Sequence, residues 1–130
     1  MVIENYYTEL PEVKKLKLYK LAESTLGRQG VVPCASINFV SVEEIHKLNK
    51  QYRNIDRPTD VLSFESDIED DAGDIFICVD VARENNPDLE EELRLLTVHG
   101  MLHLCGYDHM NDNEAEIMEA EERACLKADL

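Results

Sequence analysis

The chain has 130 residues, 44% of them hydrophobic, and a formal net charge of -15. That length lets one domain, residues 1–130, bury a core without disulfide staples. No apolar run is long enough to cross a bilayer and no basic-then-apolar leader opens the chain, so a soluble, cytoplasmic protein with no membrane partner is expected.

The first element is a short strand, Val2-Ile3-Glu4-Asn5-Tyr6. Pro11 then opens a helical pattern with Val13, Leu16, Leu18, Leu21, Ala22 and Leu26 on its apolar face, ending between Gly27 and Gly30. Ala35 to Val40, partly β-branched and just past Pro33, reads as a strand. Ser41 with Glu44 forms a capping box for a helix whose apolar face is Val42, Ile45, Leu48 and Tyr52. The turn Arg57-Pro58-Thr59-Asp60 leads into a strand over Val61 to Phe64, and an acidic loop from Glu65 to Asp71 is the stretch expected to be mobile. Gly73-Asp74 opens a strand over Ile75 to Val79. Asp88, with Glu91 three residues on, caps a long buried helix carrying Leu93, Leu96, Val98, Leu102 and Cys105 as far as Gly106. Asn111 with Glu114 starts a last, acidic helix. This order indicates an α+β domain: a small mixed β-sheet of about four strands with helices packed mainly on one face.

Charge is unevenly spread. Residues 1–60 hold nine Lys/Arg and eight Asp/Glu, whereas residues 61–130 hold four and twenty. A polyanion is therefore expected to approach the first half, or a metal. Cys34, Cys78, Cys105 and Cys125 lie far apart with no C-x-x-C pair, which argues against a disulfide framework and a cysteine-built zinc site and points to reduced, mostly buried thiols. Cys105, two residues beyond His103 on a helix, is on the wrong face to share its ligands.

Three of the four histidines fall in one eleven-residue window, His99 to His109. His99 and His103, four apart, share one helix face, and the Gly106 turn lets His109 return as a third ligand. Three neutral nitrogens suit one zinc ion with an open fourth position, the arrangement of a catalytic site. His46 is read as a surface residue. Asp108 has two readings: it hydrogen-bonds a ligand imidazole, or it is a turn residue bonding its own backbone. Zincin proteases use H-E-x-x-H with the glutamate as general base; here Gly100 stands in its place, which argues against peptide hydrolysis.

The window His99-Gly-Met-Leu-His-Leu-Cys-Gly-Tyr-Asp-His109 resembles the H-G-x-L-H-L-x-G-Y-D-H signature of the YbeY family of rRNA-maturation endoribonucleases. Leu48 to Arg53, Pro58 to Phe64 and Ala72-Gly73-Asp74-Ile75 are similar to the family's other marked segments. The resemblance implies a zinc-dependent, single-strand-specific endoribonuclease acting in small-subunit rRNA 3'-end maturation and ribosome quality control. It implies rRNA, and the ribosome or small-subunit proteins, as partners. Carried onto this sequence, His99, His103 and His109 are the metal ligands and Arg53 is the functional arginine, expected to face the cleft and grip the scissile phosphate. Attack would come from a metal-activated water or from the substrate's 2'-hydroxyl. Two rival readings are a ribosome-assembly factor whose zinc is structural and a metal-dependent hydrolase of a non-RNA substrate. The acidic balance implies weak binding to free RNA. The sequence ends soon after Cys125-Leu126-Lys127, so C-terminal tail contacts are expected to be absent.

Overall fold

In the computed structural model, which describes residues 1–128, four strands form one mixed sheet. They are β1 (Val2–Tyr6), β2 (Ala35–Phe39), β3 (Val61–Glu65) and β4 (Gly73–Ile77), in spatial order β1-β2-β4-β3. β1 pairs with β2 and β2 with β4 in parallel, while β3 runs antiparallel to β4 and forms an edge. The acidic loop is the β3–β4 connection.

Alternation along the strands assigns the two faces of the sheet. Ala35, Ile37 and Phe39 of β2 and Ile75 and Ile77 of β4 are buried in the main core with residues of α1 (Pro11–Lys14), α2 (Leu18–Arg28), α4 (Val79–Asn85) and α5 (Leu89–Leu104). Leu62, Phe64 and Phe76 point the other way and pack with Ile45 and Leu48 of α3 (Val42–Arg53). α6 (Asp112–Ala128) lies on α2 and α5 through Met118 and Cys125, which join Leu21, Val98 and Leu102. Helices thus gather mainly on one face.

The expected caps of α3 and α5 are made: Ser41 accepts from the Glu44 amide and Asp88 from the Glu91 amide. Two expectations need correction. The single helix from Pro11 is two, because Lys17 takes a left-handed conformation (φ 51°) that ends one and starts the other. The strand expected to run to Val79 stops at Ile77, and Val79–Asn85 is a helix. Its N-cap, Cys78, makes no side-chain cap bond, and Val79 and Ala82 point into the core one helical turn apart. Of the four cysteines, all free, Cys78 and Cys125 are buried and Cys34 and Cys105 partly so.

α5 reaches the sheet at Gly100. A Cβ there would lie 2.9 Å from Ile75 Cγ2 and 3.3 Å from Ile75 Cβ, against a side chain with no solvent exposure. The Gly100 carbonyl also accepts from Ser63 Oγ of β3 at 3.2 Å, tying the edge strand to the helix. Alanine at this position would gain about 0.8–1 kcal/mol of helix propensity but cost about 1–3 kcal/mol in overpacking. Gly100→Ala is expected to lower stability by about 1 kcal/mol, read as a lower urea midpoint at unchanged slope; a raised midpoint would show that α5 has room to withdraw.

Candidate metal centre

His99 and His103 project from the last turns of α5, and the chain reverses directly after them. The Gly106 amide bonds the His103 carbonyl at 3.0 Å and the Tyr107 amide bonds the Leu102 carbonyl at 3.1 Å, a Schellman pair closed by Gly106 at φ 97°. That backbone is open to glycine and strained for other residues. It turns the chain back so that His109 stands against the helix end, its ring 5.5 Å from that of His99 and 5.1 Å from that of His103.

One nitrogen from each of the three histidines falls within 4.8 Å of the others. His99 Nε2 and His103 Nε2 are 3.1 Å apart. Two ligands of one tetrahedral zinc at about 2.0–2.1 Å each would stand roughly 3.3 Å apart, so the pair has the spacing of shared ligands. Burial, and then the neighbouring His99 and His109, push the His103 imidazole below its ordinary pKa, which keeps it neutral and able to ligate. These residues fit a divalent metal by number, donor type and spacing. Cys105 is outside the group.

A carboxylate absent from the sequence reading completes the arrangement. Glu122 of α6, only 8% exposed, places Oε2 2.6 Å from His99 Nδ1. A hydrogen bond from Nδ1–H to that oxygen leaves the Nε2 lone pair aimed at the shared point. α6 is held in place nearby by Glu121, whose Oε2 accepts from Arg28 Nε at 2.7 Å and from Gln29 Nε2 at 2.5 Å. The Arg28 contact holds the Glu121 carboxyl below its ordinary pKa. The one sequence signal for Glu122 is its place on the inward stripe of α6, four residues after Met118 and three before Cys125. Asp108 accepts from the backbone amide of His109 at 2.7 Å, a bond within the turn. His46 sits on the surface with Nε2 2.7 Å from Asp56 Oδ1.

The histidines open into a cavity of about 640 Å³ that Arg53, Asp60, Ser63, Glu65, Tyr107 and Asp108 also line. Arg53, at the last residue of α3, reaches over the free edge of β3. Its Nη2 donates to the Ser63 carbonyl at 2.7 Å and its Cζ lies 4.8 Å from the centre of the Phe64 ring. Asp60, in contrast, is engaged by its own chain: it accepts from the Val61 amide at 2.8 Å and from Asn85 Nδ2 at 3.1 Å.

Comparison with known proteins adds to this geometry. A family model described as endoribonuclease YbeY matches residues 5–128. A Bacillus licheniformis protein named endoribonuclease YbeY is 40% identical over 136 aligned residues, covering 90% of this chain and 86% of its own. One of the same name from Acholeplasma laidlawii is 48% identical over 99 residues, covering 71% of this chain and 72% of its own. The solution structure of TM1509 from Thermotoga maritima matches with a TM-score of 0.61 at 34% identity, over 98% of this chain and 87% of that one.

If Glu122 orients His99, Glu122→Ala should weaken zinc binding about 10–100-fold by chelator competition while the circular dichroism spectrum stays native. Unchanged affinity in the folded variant would mean that the pair serves only to dock α6.

Proposed function

The chain belongs to the endoribonuclease YbeY family, and from that premise we propose that residues 1–130 work as one zinc-dependent hydrolase domain that cuts single-stranded RNA. The substrate we assign is the 3' end of small-subunit rRNA, cut during ribosome maturation and quality control in the cytoplasm. One observation carries the reading: three imidazoles grouped as metal ligands are and an arginine line the same cavity.

His99, His103 and His109 would hold the ion. Three nitrogen donors are one fewer than the four protein ligands of a structural zinc, which favours the catalytic reading over an assembly factor with a closed site. When bound, zinc supplies Lewis-acid activation of the attacking hydroxyl and offsets charge on the phosphate.

The remaining work falls to side chains. Of the five N–H donors of Arg53, one is committed to the Ser63 carbonyl, and others are available to phosphate oxygens. The Ser63 bond and the Phe64 ring hold the guanidinium before substrate arrives, so little reorganisation is needed as negative charge builds on the phosphate. Arginine is suited to this because its planar fork meets two oxygens at once. Glu122 fixes the tautomer of His99, and Asp108 fixes the turn that presents His109. Attack by the substrate's own 2'-hydroxyl would leave a cyclic phosphate, and attack by water a 5'-phosphate, so the product ends separate the two routes.

Electrostatics bear on partners. A net charge of -15 opposes free RNA, and the ribosome or small-subunit proteins supply part of the affinity in this reading. Among the described residues no helix is long and apolar enough to cross a membrane.

The zinc-loaded protein should cut a single-stranded oligoribonucleotide and lose that activity to a chelator. Arg53→Ala should lower kcat/KM about 10²–10³-fold with the fold intact, and His103→Ala should lose both zinc and cleavage. Chelator-insensitive cutting, or equal cutting by parent and variants, would overturn the reading.

A further inference from the structure

Beyond the metal cavity, the Phe64 ring on which Arg53 lies also lines a second, apolar hollow. Leu48 and Tyr52 of α3, Phe64 of β3 and Asp74 and Phe76 of β4 line a pocket of about 300 Å³. Its three rings pack edge to face in a row: Tyr52 to Phe64 with centroids 5.3 Å apart and planes at 69°, and Phe64 to Phe76 at 5.6 Å and 78°. Phe64 and Phe76 belong to the small core under α3, but Tyr52 is 55% exposed. A large aromatic left half in water at a pocket mouth contributes little to folding and offers a flat face to a ligand.

Two observations identify the ligand. The first is proximity, because Arg53 lines the metal cavity and its Cζ lies 4.8 Å from the centre of the Phe64 ring, which lines the hollow. The second is charge: Arg53, the last residue of α3, sets a cation against the Phe64 ring in a chain whose net charge is -15. Cations that track a phosphate backbone beside aromatic faces are how single strands are held without sequence reading. Asp74 in the lining, whose Oδ1 already accepts from Ser36 Oγ, would repel a phosphate and could still accept from an exocyclic amine, which favours a base here and the phosphodiester at Arg53.

We infer that this pocket is a base-stacking subsite that takes one unpaired nucleobase of the RNA, on Tyr52 and against Phe64, next to the phosphate at Arg53. The inference rests on the ribonuclease reading for its ligand. A duplex cannot supply such a base without unpairing it, so the subsite gives a physical basis for preferring single strands.

The test uses the zinc-loaded protein and a short single-stranded oligoribonucleotide carrying 2-aminopurine or an abasic residue at successive positions. The chain has no tryptophan, so protein emission adds little background. At one position near the cut, 2-aminopurine emission should be quenched on binding. Removing the base there should raise the parent's KM about five- to tenfold with a smaller change in kcat, the scale of one lost stack. Tyr52→Ala, exposed enough to fold normally, should show the raised KM with the intact oligonucleotide and no further rise with the abasic one. Tyr52→Phe should restore parental behaviour. If the parent cuts but KM is the same for Tyr52→Ala and for every abasic position, the subsite is overturned and the ribonuclease reading stands. Base quenching that depends on Tyr52 without any cutting would uphold the subsite and overturn the ribonuclease reading. Neither quenching nor cutting would overturn both, leaving the hollow as a docking face for protein.

Discussion

The close approach of α5 to the sheet at Gly100 is the constraint on which the rest of the arrangement depends. With no side chain at that position, the helix lies against Ile75 and its carbonyl takes the hydroxyl of Ser63. Those contacts bring the helix end that bears His99 and His103 beside the free edge of β3. Arg53 reaches the same edge from the opposite face of the sheet and is anchored on the carbonyl of the same residue, Ser63. Histidines and arginine thus meet across one strand. The same contact accounts for the missing glutamate of the H-E-x-x-H pattern, since any Cβ at position 100 crowds Ile75.

Electrostatics and covalent order work together at this edge. The histidine window lies in the half of the sequence with twenty carboxylates, yet the cavity it opens into is bordered by a cation contributed by the first half. A bound divalent ion would add positive charge where the chain has least of it. This explains how an acidic protein can be matched to a polyanionic substrate at one place while repelling it elsewhere, and why affinity for free RNA should be low and salt-sensitive.

Much of the fold was legible because its signals are local. Ser41 and Glu44, Asp88 and Glu91, and Asn111 and Glu114 each sit at a helix start where the backbone needs an acceptor, and in each pair the first side chain accepts from the amide of the second. The grouping of the three histidines was legible for the same reason: helical spacing sets His99 against His103, and Gly106 announces the turn. What escaped the sequence lacks such signals. Lys17 adopts a left-handed backbone with no glycine or asparagine to mark it, and Val79–Asn85 begins at a cysteine that makes no cap. Glu122 meets His99 across 23 residues, and the Tyr52–Phe64–Phe76 row joins three elements, so both exist only once the chain has packed.

The account turns on the three histidines forming an open site for one ion, and diffraction from crystals of the zinc-loaded protein, phased at the zinc edge, tests this most directly. The expected result is a single zinc at about 2.0–2.1 Å from one nitrogen each of His99, His103 and His109, with Glu122 on the other nitrogen of His99 and no fourth protein ligand. Zinc bound elsewhere, or a fourth side chain closing the shell, would contradict it.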